Sequence, residues 1–219
     1  MMKHPLATMM TDEDPESGPR RPISRSRKSE RKRHEIMRAA TDIINEKSYA
    51  LATMTEIAAA LDLRDATLYY YFSSKQALAY ACHCRSLETF ERLLDTANTA
   101  GGTGAERLTH FLRGMVEDAE RHGAQIYLGD YTYLEPTQRA AIAAWLARLT
   151  ARLEAFLKDG IGDGSIMPCE TELVVQLLVG TLVWLAKWAP SVEAMTTERL
   201  TRAIKAFALD GLATDQTQR

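Results

Sequence analysis

The sequence predicts an all-α chain of about nine helices, and three observations carry that reading. Apolar residues recur three and four apart from Ile36 to Leu212, the period of one buried helix face. No stretch alternates apolar and polar residues as a half-buried strand does. Glycine and proline, 12 and 7 of 219 residues, are too few to punctuate many short strands.

Residues 1–23 read as a flexible charged extension, because they mix Pro, Gly, Ser and both signs of charge with no helical apolar period. From residue 24 the pattern changes. Ile36, Ala39, Ala40, Ile43 and Ile44 fall on one helix face that ends near residues 45–48. Thr53 followed by Glu56 is the signature of a capping box, and Met54, Ile57, Ala58 and Leu61 form the stripe of a short second helix. Asp62, Leu63 and Arg64 make a three-residue turn in which Asp62 suits a left-handed conformation, and residues 65–72 form a third helix.

Ser73 and Ser74 offer caps for a fourth helix, which runs through Leu78, Cys82, Phe90 and Leu94 until Gly101, Gly102 and Gly104 break it. A fifth stripe is Leu108, Phe111, Leu112, Met115, Val116 and Ala119. Residues 127–134 are short and aromatic, and Pro136 suits the first turn of the next helix. That helix, from Ile142 to Leu157, is expected to stop at Gly160, Gly162, Gly164 and Pro168. Residues 173–188 are apolar nearly all round, which implies burial on more than one side, and a stripe from Leu200 to Leu212 closes the series.

Charge is informative by position. The formal net charge is −2, yet Asp12, Glu13, Asp14 and Glu16 precede a basic run from Arg20 to Arg33 interrupted only by Glu30. A locally basic arm on a mildly acidic body fits one end that faces nucleic acid. The arm reads either as a solvated run or as an extension tracking phosphates or the minor groove. Three cysteines do not make a disulfide framework. No apolar run spans a bilayer, so a cytoplasmic location is expected.

Two short helices, 53–61 and 65–72, joined by a three-residue turn have the dimensions of a helix-turn-helix, whose second helix enters the major groove. Arg64, Thr67, Tyr69, Tyr70 and Lys75 set phosphate and base-edge donors on or beside that helix, and Thr53 and Thr55 stand at the amide-rich start of the first. Thr53 reads equally as cap and as DNA contact. Tyr69, Tyr70 and Tyr71 are consecutive, so at about 100° per residue at least one must pack inward, and Tyr71 is the one assigned to packing.

The segments RHEIMRAATDIIN (33–45), TMTEIAAALDLR (53–64) and ATLYYYFSSKQALA (66–79) resemble the tetracycline-repressor (TetR) family. The resemblance implies a DNA-binding head (24–79), a helical effector-binding and dimerising body (80–214) and a tail (215–219). It implies a ligand-responsive regulator, a repressor by the family's habit, working as a homodimer on double-stranded operator DNA without a cofactor or catalytic activity. Thr67, Tyr69 and Tyr70 then meet phosphates or bases, Lys75 meets backbone phosphate, and Leu68 and Phe72 face the head's core. Lys47-Ser48 and Asp62 stand where the family commonly has glycine, and Asp65 and Ala66, at groove-facing positions, where Lys or Gly are frequent.

The body carries no motif of comparable strength. Tyr127, Asp130, Tyr131, Gln176, Trp184 and Trp188 are the candidates for an effector pocket, with plain helix packing as the other reading of the aromatics. Gly180, Trp184 and Trp188 form a G-x-x-x-W-x-x-x-W stretch similar to family members that sense acyl-CoA thioesters. An acyl-CoA, another aromatic or amphipathic molecule, and a multidrug-type pocket all stand open. The last two helices carry the apolar surface for a four-helix dimer interface.

Two other readings compete. An enzyme lacks support: Gly101 to Gly104 is not followed by the Lys-Ser or Lys-Thr of a phosphate loop, and Cys82, His83 and Cys84 point to different faces of one helix, so they do not share a metal. A helical dimer that binds a protein partner without operator specificity is the alternative, marked by sequence-independent, strongly salt-dependent affinity for DNA.

Overall fold

Thr53, Ser74 and Thr103 each accept a backbone amide at the start of a helix and so satisfy a group that a helix end leaves free. The computed structural model describes residues 23–188, 191–204, 206 and 207. It contains α1 (Ile23–Lys47), α2 (Met54–Ala59), α3 (Asp65–Tyr71), α4 (Lys75–Ala100), α5 (Gly104–His122), α6 (Pro136–Asp163), α7 (Thr171–Trp188) and α8 (Thr197–Ile204). Among the described residues there are thus eight helices, one fewer than expected, and no strand. The extension 1–22, Leu212 and the tail 215–219 lie outside the described residues.

The head forms as its capping signals dictate. Thr53 accepts from the Glu56 amide at 3.1 Å, and the Glu56 carboxylate takes the Thr53 amide in return. Asp62 adopts φ 53°, and the Leu63 amide reaches back to Ala58 O at 2.9 Å, closing the turn between α2 and α3. Ser48 ends α1 at φ 77°, a left-handed position that favours glycine. Ile36, Ala40, Ile57, Ala58, Leu68 and Phe72 are buried together where α1, α2 and α3 meet.

In the body, α4 lies against α5 and α6, with Leu87, Phe90 and Leu94 buried on Phe111, Leu149 and Leu153. Each such side chain contributes about 1.5–3 kcal/mol. The Phe90 and Phe111 rings sit 4.8 Å apart.

Two boundaries differ from the periodicity. Helix α5 begins at Gly104, a turn before its first apolar stripe residue, because Thr103 and Glu106 form a second capping box. Helix α6 runs through Gly160 and Gly162 to Asp163 and ends on left-handed Gly164. Gly160 is no breaker: a side chain on Gly104 would collide with the backbone of Phe156 and Gly160, so these glycines let α5 and α6 touch.

The connection between α5 and α6 stays non-helical because side chains of other elements take its backbone groups. Asn45, Ser86 and Gln76 bond main-chain atoms of residues 125–127 and 133.

Candidate functional site

The outer face of the head is built by α3. Leu68 and Phe72 turn inward, with 0% and 3% of their surface exposed, whereas Tyr69 and Tyr70 are 51% and 80% exposed. Tyr71 is half-buried against the core, edge-on to Tyr70 at 5.2 Å. Arg64, Asp65 and Ala66 at the start of α3, and Thr53 and Thr55 at the start of α2, are exposed, and Thr67 is half-buried. These residues therefore form one surface across the two helix N-termini. The Thr55 hydroxyl donates to Asp65 at 2.7 Å, tying the two helices together at that surface.

Lys75 sits differently from its expected place against phosphate. Its ammonium donates to Tyr49 O and Ala52 O, each at 2.8 Å, and lies 4.3 Å above the Tyr49 ring. The carbonyls of the α1–α2 turn need a donor, and a lysine at the first position of α4 is within reach of them. Arg33, outside the expected set, does the same for α3: it donates to Tyr71 O at 3.0 Å and covers the Phe72 ring at 4.1 Å. Basic groups at helix C-termini suit the dipole.

In the body a cavity of about 480 Å³ lies between α4, α5, α7, α8 and the segments before α6 and α8. Phe90, Met115, Val116, Ile126 and Leu182 are among its walls, and Ser86 and Gln125 supply the polar side chains. None of the sixteen described residues lining it carries a formal charge.

The six expected pocket residues are not among those lining this cavity. In segment 124–128, Ala124, Gln125, Ile126 and Leu128 line the cavity, and Tyr127 turns away from it to meet the Trp184 ring at 5.6 Å. Trp184 and Gln176 are exposed on α7, and Trp188 is half-buried. Asp130 is exposed and accepts from the Thr132 amide and hydroxyl. Tyr131 lies edge-on to His83 at 6.2 Å. The walls of this cavity come largely from ordinary apolar stripes, which periodicity does not distinguish from core.

Between head and cavity lies a polar layer. His83 is fully buried and shares a 2.8 Å hydrogen bond with the Tyr133 hydroxyl, while its Nδ1 has no partner. Burial, only partly offset by the charge of Asp130, holds the imidazole pKa down to about 4. Burial, then Asp130, raises that of Tyr133, so both are neutral. Cys82 approaches Met37 O instead of joining its neighbours, and burial pushes its thiol up to about 12. Residues 82–84 thus have separate partners.

Comparison with known proteins follows this division. Residues 36–82 match the model of bacterial regulatory proteins of the tetR family, and residues 101–212 that of the tetracyclin repressor-like C-terminal domain. The chain is 24% identical over 164 residues to the HTH-type transcriptional regulator HbdR of Aromatoleum sp. (strain CIB), spanning 73% of this chain and 72% of that one. Its fold is similar to the ketosteroid transcriptional regulator KstR2 of Mycobacterium tuberculosis, with TM-score 0.72, 20% identity and coverage of 84% and 96% of the two chains. It is also similar to AibR, solved with isovaleryl coenzyme A and operator DNA, with TM-score 0.67, 23% identity and coverage of 81% and 98%. Among the described residues no helix is long and apolar enough to cross a membrane.

Proposed function

The chain belongs to the tetracycline-repressor family of bacterial transcriptional regulators, and on that premise we propose that it represses transcription from an operator and releases it when a small effector fills the body's cavity. The observation that carries this reading is an exposed two-helix reading face and an uncharged cavity of about 480 Å³ in one chain.

At the operator, the free amides at the start of α3 and the Arg64 guanidinium meet phosphates, and Tyr69, Tyr70 and Ala66 face base edges. Asp65 is a carboxylate where a phosphate would be repelled, so its natural partner is an exposed base amine such as cytosine N4. Thr53, Thr55 and Thr67 lie at the margins of the same face. Lys75 acts on DNA indirectly, by fixing the turn that carries α2.

The cavity accepts an apolar body and offers no counter-charge to an anion. An acyl-CoA fits only with its acyl chain inside and its phosphates outside. AibR, a protein of the same fold, is solved with such a thioester, and this supports the acyl-CoA class here.

Two half-sites need two heads. The second head comes from a homodimer formed on α7, where Leu173, Leu177 and Trp184 are exposed and a side chain on Gly180 would meet open space. These residues stand at i, i+4, i+7 and i+11, one helix face.

Selection of duplexes from a random pool tests the reading. A palindromic sequence bound about a thousandfold tighter than bulk DNA is expected, and enrichment of no sequence contradicts operator recognition.

A further inference from the structure

The cavity and the head meet on one side chain. Asn45, two residues before the end of α1, is 7% exposed. Its Nδ2 donates to Gln125 O at 2.8 Å, and its Oδ1 accepts the Tyr127 amide at 2.9 Å. The amide between them, Ile126 N–H, points the opposite way and donates to Ser86 Oγ at 3.0 Å. Ser86, Gln125 and Ile126 are also cavity wall. Lys187, on the helix that carries Leu182 and Leu185 of the wall, donates to the main-chain oxygen of Asn45 at 2.7 Å. One residue of the head is thus bonded to both sides of the cavity.

Ser86 and Gln125 are the polar side chains among the described residues that line the cavity. The Gln125 amide nitrogen is committed to Asp118 at 3.1 Å, which turns the donor end of the side chain away from a ligand. The bond from Ile126 uses an acceptor lone pair of Ser86 and leaves its hydroxyl hydrogen for another acceptor.

We propose that the Ser86 hydroxyl donates to a polar oxygen on the effector, a carbonyl or hydroxyl, that the Gln125 side-chain oxygen accepts where that group is a hydroxyl, and that Asn45 passes the resulting movement of segment 124–128 to α1 and the reading face. The proposal rests on the cavity being the effector site and adds how that site is heard by the head.

Segment 125–127 has little slack. Residues 125–127 have neither helix nor sheet to hold them, so side-chain bonds from Asn45 and Ser86 set their position. Hydrogen bonds of 2.8 and 2.9 Å do not survive a shift of much more than about half an ångström. A wall that moves to accommodate a ligand therefore either carries Asn45 with it or breaks the bridge. Asn45 lies one residue from buried Ile44, on the helix that packs against α2. Coupling of this kind is reciprocal, so operator binding must be felt at 124–128 with no effector present.

Hydrogen exchange of the full chain, free and bound to a duplex selected from a random pool, tests this. We expect exchange in 124–128 to slow about tenfold on DNA binding in the wild type, and less than about twofold in Asn45→Ala. Asn45→Asp keeps the acceptor for Tyr127 and loses the donor to Gln125, so it should fall between, and it serves should the alanine variant fold poorly. No change in the wild type, or full protection in both variants, overturns the coupling. Because this arm uses DNA alone, a failure of every thioester to release the operator sinks the effector class and leaves the coupling result standing. For the polar subsite the probe is octanoyl-CoA. Ser86→Ala should weaken its binding about fivefold to tenfold, and equal affinity overturns the subsite.

Discussion

The rings of Tyr49 and Tyr133 lie flat on one another, centroids 3.7 Å apart and planes within 4° of parallel. Tyr49 belongs to the turn between α1 and α2, and Tyr133 to the connection before α6, so the stack joins the head to the body. The ammonium of Lys75 sits against the Tyr49 ring and on two carbonyls of the same turn.

Lys75 and Tyr70 therefore separate structure from reading. Lys75→Met removes a charged donor from half-buried carbonyls and should cost about 1.5–3 kcal/mol of stability, with operator affinity falling as a consequence. Tyr70→Ala removes a side chain that is 80% exposed and should leave stability within about 0.5 kcal/mol while weakening operator binding. Urea unfolding and a binding titration of both variants check the contrast, and a stable Lys75→Met protein with direct loss of DNA affinity would return that lysine to phosphate contact.

Ser48 holds φ 77° on an exposed turn, a conformation that strains any residue with a Cβ by about 1–2 kcal/mol. Ser48→Gly should relieve part of this and raise stability by up to about 1 kcal/mol. An unfolding midpoint that falls on substitution would show that the serine side chain stabilises the turn.

Much of the head was legible because its signals are local. Thr53 with Glu56, left-handed Asp62, inward Leu68 and Phe72, and the packing of Tyr71 each follow from neighbours a few residues away. The cavity was not, since its walls come from four helices and two connecting segments and its members are mostly plain apolar positions such as Val116 and Leu182. The aromatic candidates lie beside this cavity: Tyr127 and Trp184 neighbour wall residues Ile126 and Val183 and meet each other outside it. The internal partners of Lys75, carbonyls some 25 residues earlier, leave no sequence trace. Asn45 was visible only as the end of a helix.

The faces of α7 separate the interface from the core. Leu177 is 72% exposed and Leu182 is 6% exposed and part of the cavity wall. Leu177→Glu should yield folded monomers by light scattering, with DNA affinity reduced because half-sites are bound singly. Leu182→Glu should instead destabilise the body by several kcal/mol, of order 3–5, through a buried unpaired charge. Intact dimers of Leu177→Glu would move the interface off this face.

His83 makes stability depend on pH. Its imidazole is held at about 4 in the fold against about 6.5 in the unfolded chain, so the unfolded state takes the proton first as pH falls. Stability is unaffected above about 6.5 and is lost down to about 4, by about 3 kcal/mol in all. Urea unfolding at pH 7.5 and 4.5 should show a loss about 2–3 kcal/mol larger for the wild type than for His83→Gln. Equal losses would mean that the folded protein protonates His83 as readily as the unfolded chain.

An effector seated in the cavity is expected to release the operator. The most direct measurement of this is fluorescence anisotropy of a selected, labelled duplex bound to the protein, titrated with octanoyl-CoA, beside the same titration of Ala119→Trp, in which a bulky side chain occupies the cavity. The account predicts that the thioester weakens the wild-type complex at least about tenfold, and that the tryptophan variant no longer responds. A wild-type complex indifferent to the thioester, or a variant released as readily as the wild type, would contradict it.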